Sequence, residues 1–444
     1  MEEDNCDMAE TQRWLILAHC FNMDGRAASH TITDRLPMMM GKGITPVVIS
    51  APTGREDHRF PHYQIFSPAP SGFLFEMRHV IANKTDARPR QRFFKVLVAL
   101  PLLPFLLLEK LFINLDSHWS WFLSAAIRGR RAVREHHPAL VYSTAGPTST
   151  HVAGFLVSRW CGLPWLAEIH DPLIMAGQKR RYQRYRFHRW LEQLIFRHAD
   201  AVVYFTEKAL SSAAERTQTT DKGHVIRPGA DPPPIDTVAY AKRDKLHVGY
   251  FGSLARHRNL GEFLEAMHRL RETHPSAGEK VVLDVYGADL DPVSRQVLEH
   301  NGLHDMVHLH GRLERDPETG KSGRERVFEE MHRCDLLLLI HGDSMGGDEY
   351  IPSKLYEYML TNRPVFGIVL EGSELDTMLT ACGHLSLRKG DSRAIATALK
   401  KLFEQWRETG LPDLEQRQAY TIEKAVEQLV HIAANIVKSP AHEI

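Results

Sequence analysis

The chain has 444 residues, 43% of them hydrophobic, and its 55 basic residues balance its 55 acidic residues. This length favours two or three domains, and the balanced charge excludes a general electrostatic attraction for nucleic acid. The five cysteines are scattered without a CxxC pair, which indicates ordinary thiols in a reducing compartment. Residues 1–11 are acidic and polar, and we expect a disordered lead-in without a signal peptide. Because every apolar run is too short to cross a bilayer, a soluble cytoplasmic protein is expected.

Short apolar runs, separated by stretches with a helical pattern, predict strands along the whole chain. Many are continuous rather than alternating, as expected for strands buried on both faces. Strands that alternate with helices indicate parallel sheets. The predicted strands are Trp14–Ala18, Pro46–Ser50, Leu140–Ser143, Trp165–Ile169, Ala201–Phe205, His224–Ile226, His247–Phe251, Val281–Tyr286, Val307–Leu309, Leu336–Ile340 and Pro364–Ile368.

The most apolar stretch is Phe93–Leu108, and Pro101 and Pro104 are expected to forbid one regular helix through it. Two interpretations stand: a buried pair of helices, or a segment that lies in a membrane surface. A basic run, 179–189, is either a solvated helix face or a site for anionic lipid headgroups or a phosphate-bearing acceptor. Peripheral membrane contact through 93–113 and 179–189, at the inner face of the membrane, is therefore a hypothesis.

Three consecutive prolines, Pro232 to Pro234, end regular structure and predict a linker between two α/β domains. We expect an amino-terminal domain over 12–230, a linker over 231–245, a second domain over 246–413 and a terminal helix and tail over 414–444. The predicted fold is two Rossmann-like, doubly wound parallel-sheet domains facing a cleft. Ligands of such sheets bind beyond the carboxyl ends of the strands.

Four histidines, His300, His304, His308 and His310, invite a metal site. Asn301-Gly302 interrupts the helix between the first two, and neither a cysteine nor a carboxylate is expected to complete a tetrahedral set. We therefore expect no metal there and interpret 307–311 as a short strand next to the nucleotide site.

Glu349 and Glu357 stand eight positions apart, on either side of Pro352-Ser353-Lys354. Pro352 suits the first position of a helix, and the N–H groups and dipole of that helix start favour an anion in front of it. Lys354 adds a positive charge in the first turn. The geometry predicts a phosphate at the helix tip with hydroxyl-rich groups on either side, which is the outline of a nucleotide sugar.

An ordered series of motifs resembles the retaining glycosyltransferases of the GT-B fold, family 4 in particular. Each motif alone is weak, but their order and spacing are specific. The motifs lie at 24–29, 116–119, 164–172, 225–231, 249–258 and 349–365.

The resemblance implies roles for single residues. Glu349 would contact the transferred sugar, Glu357 the ribose, and the N–H groups near Ser353 and Lys354 the diphosphate. Arg258 stands where the family usually has a phosphate-binding lysine, whereas Ser253 replaces a frequent arginine. The implied catalytic residues are Glu349, His170, Arg258 and Lys354, and the implied donor-binding residues are Gly25, Gly252, Ser253, Arg258, Ser353, Lys354, Leu355 and Glu357.

The resemblance also implies the reaction: transfer of a sugar, with retention, from a nucleotide-diphosphate sugar to a glycan, lipid-linked or small-molecule acceptor. Cell-envelope polysaccharide biosynthesis is the expected setting. Electrostatic stabilisation of the leaving diphosphate by the cationic groups would replace a metal, so no cofactor is expected. Two alternatives stand: a nucleotide-sugar epimerase of the same fold, or a non-catalytic partner that binds sugar nucleotides.

Overall fold

The computed structural model divides the chain into two compact units, one formed by Met1–Pro228 with Ile422–Ile444 and the other by Gly229–Thr421. It describes residues 12–23, 27–84, 88–144, 146–174, 182–233, 235, 238, 240–287, 289–342, 346–414 and 420–438. The predicted lead-in, 1–11, lies outside these residues. No helix in the described ranges is long and apolar enough to cross a membrane.

The first unit is built on a seven-stranded parallel sheet in the order β3-β2-β1-β4-β5-β6-β7. Alternate residues of β1 enter two apolar clusters, since Leu15 and Leu17 join one and Trp14 and Ile16 join the other. Both faces of the sheet are therefore covered, as the continuous apolar runs predict. The strands are β1 (Gln12–Leu17), β2 (Ile44–Ser50), β3 (His62–Gln64), β4 (Leu140–Thr144), β5 (Trp165–Ile169), β6 (Ala201–Tyr204) and β7 (Gly223–Val225).

Within the described residues, seven helices of this unit come before the second unit in the chain. They are α1 (Ala27–Gly41), α2 (Pro70–Lys84), α3 (Arg88–Phe112), α4 (Trp121–His136), α5 (Ser149–Cys161), α6 (Gln183–His198) and α7 (Glu207–Thr217).

The structure corrects the prediction for the apolar stretch, because α3 runs as one helix through Pro101 and Pro104. Each proline removes one backbone hydrogen bond and crowds the preceding turn, but the leucine-rich flanks retain the other bonds of the helix. The interpretation as a buried helix pair is also wrong. Ten large apolar side chains of α3 are between 44% and 76% exposed.

The second unit holds a six-stranded parallel sheet in the order β10-β9-β8-β11-β12-β13. Its strands are β8 (Leu246–Gly252), β9 (Val281–Gly287), β10 (Val307–Gly311), β11 (Leu336–Ile340), β12 (Val365–Val369) and β13 (Leu385–Arg388). Its helices are α8 (Gly261–Thr273), α9 (Pro275–Gly278), α10 (Pro292–His300), α11 (Gly323–Arg333), α12 (Lys354–Tyr358), α13 (Glu374–Ala381) and α14 (Ser392–Glu408).

Every predicted strand overlaps an observed one, and the two strands that the sequence does not predict, β3 and β13, are edge strands. Edge strands are covered less completely and need fewer apolar residues, so their sequence signal is weak.

The last helix, α15 (Ile422–Lys438), returns to the first unit and packs in the cluster of Trp14 and Ile16. Val426 and Leu429 are fully buried there. The amphipathic pattern predicts this helix but does not specify where it packs. The first unit is thus completed by residues from the end of the chain.

We expect Leu429→Ala to lower the free energy of unfolding of the first unit by about 2–5 kcal/mol, because it leaves a cavity in that core. Urea unfolding followed by tryptophan fluorescence measures this directly, since six of the seven tryptophans lie in the first unit. Gln428→Ala, at an exposed neighbouring position of the same helix, is the control and should change little. Equal effects of both substitutions would contradict the assignment of α15 to this core.

Candidate functional site

In the second unit, the strand order reverses at β8, which lies between β9 and β11. The loops that follow β8 and β11 leave the sheet at the same edge, because all these strands are parallel. Crevices for ligands form outside the carboxyl ends of strands at such a reversal. The donor-site residues that the resemblance implies in this domain lie in the segments after these two strands: Gly252 ends β8 and 253–258 follow it, and 349–357, which includes the start of α12, follows β11.

The loop after β8 places Ser253 and Arg258 in contact. The guanidinium of Arg258 donates to Ser253 Oγ over 3.1 Å, and the N–H groups and carbonyls of Ala255 and Arg258 pair with each other. Gly252 has a φ of +145°, a conformation that residues with a side chain rarely adopt. The loop therefore turns sharply out of the sheet and presents one cation next to a hydroxyl.

The loop after β11 folds back on its own start. The N–H of Gly342 donates to Tyr350 Oη over 3.2 Å, and a Cβ on Gly342 would lie only 2.4 Å from that oxygen. His341 Nε2 lies 3.2 Å from the carbonyl oxygen of Tyr350. Glu349, at the end of the single 3₁₀ turn Gly347–Glu349, is only 6% exposed. The predicted sugar-binding carboxylate is thus held within a compact loop.

The helix predicted to start at Pro352 is shorter and begins later, since α12 starts at Lys354 and has five residues. The N–H of Leu355 donates to the carbonyl of Pro352, so a 3₁₀-type bond closes the turn before the helix. The side chain of Leu355 is fully buried in the core, and Ser353 is exposed. A helix of this length has a small dipole, so the charges of side chains dominate the field at its start.

Lys354 and Glu357 form an ion pair within α12, with Lys354 Nζ 2.5 Å from Glu357 Oε2. Both side chains are partly exposed, and Arg324 Nε lies 4.0 Å from the other carboxylate oxygen. The pair therefore presents a cation and an acceptor side by side at the surface.

Tyr358 connects the two strands from which the site loops emerge, a role that the sequence does not reveal. Its hydroxyl accepts the N–H of Phe251 on β8 over 3.1 Å and donates to the carbonyl of Leu338 on β11 over 3.3 Å. The side chain is fully buried. Only the pairing of β8 with β11 brings these backbone groups together.

An Asp-x-Asp pair, Asp289 and Asp291, follows β9, whereas the expectation from the sequence is that no such metal motif stands at a strand end. Asp291 is the N-cap of α10 and accepts the N–H groups of Val293 and Ser294. This carboxylate therefore has a structural role at the helix start.

In the first unit, His170 directly follows β5 and belongs to a group of side chains in contact at the carboxyl ends of β4, β5 and β6. Its Nε2 lies 2.9 Å from Thr144 Oγ1 and 3.0 Å from Glu168 Oε1. Its ring stacks on Phe205, at a centroid distance of 4.7 Å. The side chain of His170 is 5% exposed.

Arg35 on α1 completes this group, and the sequence did not predict its involvement. Arg35 Nη1 lies 2.6 Å from Glu168 Oε2, and both side chains are fully buried. Burial alone would raise the pKa of Glu168, but the charge of Arg35 and the hydrogen bond from His170 outweigh it and hold that pKa well below its usual value. Glu168 is therefore an anion throughout the physiological pH range.

The structure thus brings together Ser253 with Arg258 and Lys354 with Glu357. Gly25 lies outside the described residues. The roles of Glu349, His170 and the donor-binding residues in catalysis stay predictions.

A carboxylate does lie next to two of the four histidines, contrary to the expectation from the sequence. Asp284, on β9, places a carboxylate oxygen 2.7 Å from His310 Nε2 and 3.3 Å from His308 Nδ1. The sequence did not reveal this because Asp284 lies on the neighbouring strand, 24 positions before His308. The interpretation of 307–311 as a strand is confirmed.

Residues 64–229 match the family described as the glycosyl transferase 4-like domain. Among curated proteins, no sequence matches the chain. The resemblance to GT-B glycosyltransferases predicted from the sequence is confirmed by this match and by the solved structures to which the fold is similar.

Three of these structures cover nearly the whole chain. HepE from Anabaena, solved with UDP and glucose, is 14% identical over 96% of this chain and 100% of its own, with a TM-score of 0.60. Trehalose 6-phosphate synthase from Burkholderia multivorans is 13% identical over 96% of this chain and 99% of its own, with a TM-score of 0.61. A TarM variant from S. aureus is 10% identical over 96% of this chain and 100% of its own, with a TM-score of 0.60. The predicted fold class, two Rossmann-like domains of the GT-B type, is confirmed.

We expect Arg35→Met to lower the free energy of unfolding of the first unit by about 3–5 kcal/mol, because it leaves Glu168 as an uncompensated buried charge. The double variant Arg35→Met/Glu168→Gln should recover much of this loss. Lys42→Met, which breaks the exposed Lys42–Glu427 pair of the same unit, should cost at most about 1 kcal/mol.

The stability that the Arg35–Glu168 pair contributes to the first unit should decrease in acid. Because the pKa of Glu168 is lower in the folded unit than the 4.5 of an ordinary glutamate, the pair stabilises above that pH, and this contribution is lost as pH falls through the folded pKa. The advantage of the wild type over the double variant, measured by urea unfolding, should therefore shrink in acid. An advantage that grows below pH 4.5 would contradict this assignment.

Proposed function

We propose that the protein is a retaining glycosyltransferase that moves a sugar from a nucleotide-diphosphate sugar to an acceptor at a membrane surface, in cell-envelope polysaccharide biosynthesis. One observation carries the donor half of this proposal. Two cation-bearing pairs follow β8 and β11, where the strand order reverses: Arg258 with Ser253 in the loop after β8, and Lys354 with Glu357 in α12, the helix after β11.

The chemistry of the reaction fits these groups. Breaking the bond between sugar and phosphate builds negative charge on the leaving diphosphate, and preorganised cations stabilise that charge where it develops. Arg258 and Lys354 supply two such charges without a metal. Glu357 already holds Lys354 in place and offers its carboxylate oxygens to hydroxyl groups, as a ribose requires.

The choice of first donor rests on a relative. HepE was solved with UDP and glucose and, separately, with UDP-glucose. UDP-glucose and UDP are therefore the first ligands to test with this chain. Retention of configuration rests on the family resemblance.

Incubation with a panel of sugar nucleotides, with and without EDTA, separates the candidate functions. Release of nucleoside diphosphate, unaffected by EDTA, supports metal-independent transfer, and NMR of the product's anomeric proton tests retention. An interconverted sugar nucleotide would instead indicate an epimerase. Binding of a sugar nucleotide without turnover, even when a membrane extract is added as a source of acceptors, would favour the non-catalytic partner.

We expect Glu357→Ala to weaken UDP binding about 10-fold or more, because a hydrogen bond to a charged group contributes roughly 1.5–3 kcal/mol. The substitution removes the ribose contact and also frees Lys354 from its ion pair, which could change binding to phosphate. Calorimetric titration with UDP and with uridine separates the two effects, since uridine has the ribose but no phosphate. Glu404→Ala is the matched control, because Glu404 pairs with Lys400 within α14. Unchanged affinity for both ligands would remove Glu357 from the donor site.

The membrane part of the proposal rests on α3. Its less exposed positions, Val98, Leu102 and Leu106, recur at helical spacing, and Glu109, which bonds to Ser71 of α2, continues the same stripe. The remaining apolar side chains form an exposed surface far more continuous than scattered surface apolar residues. We call these residues the α3 apolar face: Phe94, Val96, Leu97, Leu100, Leu103, Phe105, Leu107, Leu108, Leu111 and Phe112.

Basic residues lie next to one end of this face, which favours an anionic bilayer as the partner. The side chain of Gln183, at the start of α6, bonds to the backbone at the carboxyl end of α3. Its amide oxygen accepts the N–H of Asn114, and its NH₂ group donates to the carbonyl of Phe112. The following residues Arg184, Arg186 and Arg189 are exposed. An apolar face flanked by arginines is the combination that binds the interface of anionic membranes.

We expect Leu100→Glu/Leu107→Glu to abolish most binding to vesicles of phosphatidylcholine with phosphatidylglycerol, measured by flotation. Both positions are exposed and one heptad apart on α3, so the changes place two charges on the α3 apolar face without disturbing a core. Leu123→Glu/Ile127→Glu, at exposed positions of α4, is the matched control and should bind like the wild type. Wild-type protein that stays with the unbound fraction would refute the membrane contact.

A further inference from the structure

A carboxylate and two imidazoles meet at the edge of the sheet in the second unit. On edge strand β10, His308 lies opposite Asp284 of β9 in the parallel register. His310 lies at an irregularity of this register, between Leu309 and Gly311, and its ring also contacts the carboxylate of Asp284. All three side chains therefore lie on one face of the sheet edge.

The ligand atoms are close enough to share one ion. Asp284 Oδ1, His308 Nδ1 and His310 Nε2 all lie within 4.8 Å of one another. Asp284 Oδ1 is 3.3 Å from His308 Nδ1 and 2.7 Å from His310 Nε2. Tetrahedral ligands at the bond lengths of zinc lie about 3.4 Å apart, so small rotations of the side chains suffice to reach that geometry.

Neighbouring groups hold the carboxylate and one imidazole in place. His247 Nδ1 lies 2.6 Å from the second carboxylate oxygen, Asp284 Oδ2, and so fixes the direction of Oδ1. The ring of Tyr286 stacks on that of His310 at 4.3 Å and 8°. Ligands oriented by a second layer of contacts are characteristic of built metal sites.

Access from solvent is also present. The side chain of Asp284 is 5% exposed, whereas those of His308 and His310 are 47% and 37% exposed. A metal ion therefore reaches the two imidazoles from solvent, and at least one coordination position stays open to water.

We propose that Asp284, His308 and His310 form a binding site for a divalent transition-metal ion of the zinc class, with His247 as a positioning residue. Two imidazoles with one carboxylate suit zinc, cobalt or nickel, whereas magnesium and calcium require mainly oxygen ligands. The site would tie edge strand β10 to β9 and is independent of the proposed transferase activity.

The test is calorimetric titration of the full chain with zinc chloride, with a chelator of known affinity as competitor. We expect one tight site in the wild type. His308→Gln/His310→Gln should bind zinc at least about 100-fold more weakly, because two ligands are lost. His247→Ala should weaken binding about 10- to 100-fold, the effect typical of a group that orients a ligand.

A matched control separates this site from adventitious binding by surface histidines. His300→Gln/His304→Gln changes two exposed histidines of the same region and should keep the wild-type affinity. Cobalt added in place of zinc should give a visible absorption spectrum in the wild type and in this control, but not in the His308/His310 variant. The proposal is overturned if the wild type shows no tight site, or if the His308/His310 variant binds zinc as tightly as the wild type.

Discussion

Strands β8 and β11 are joined by Tyr358, whose buried hydroxyl bonds to the backbone of both. The candidate donor site depends on this contact, because the two loops that form it leave the sheet from these strands. Close approach of the backbone adds a second constraint: a Cβ on Gly287 would lie 2.3 Å from the carbonyl oxygen of Gly252. The loop with Arg258 is thus fixed against both neighbours of β8 before any ligand binds.

Two ion pairs in the chain differ in what their surroundings allow. Arg35 and Glu168 are fully buried, so neither is free to exchange its partner for a ligand without leaving a charge in the interior. Lys354 and Glu357 are partly exposed, and water replaces either partner at little cost. The Lys354–Glu357 pair is therefore suited to separate, so that Lys354 binds a phosphate and Glu357 a hydroxyl group. The Arg35–Glu168 pair instead holds Thr144, Glu168 and His170 in one arrangement.

The sequence predicted the features that depend on continuous local patterns. Central strands such as Trp165–Ile169 and Leu336–Ile340 were predicted because both of their faces are apolar, and edge strands β3 and β13 were missed because they are not. Contacts between distant residues were beyond reach: Arg35 and Glu168 are 133 positions apart, and Asp284 meets His310 only through the pairing of β9 with β10. The start of α12 was misplaced because Pro352 favours a helix start but also suits the turn before it.

Helix α3 shows why a rule about proline failed. A helix in water that loses hydrogen bonds at Pro101 and Pro104 needs other contacts to persist. One stripe of α3 lies against α2, and Glu109 fixes the carboxyl end by accepting hydrogen bonds from Ser71 and from the indole of Trp119. These contacts hold the helix while the α3 apolar face stays in water, where exposed apolar area is unfavourable. In the proposed membrane contact, a bilayer would remove that area from water without any rearrangement of the contacts between α3 and α2.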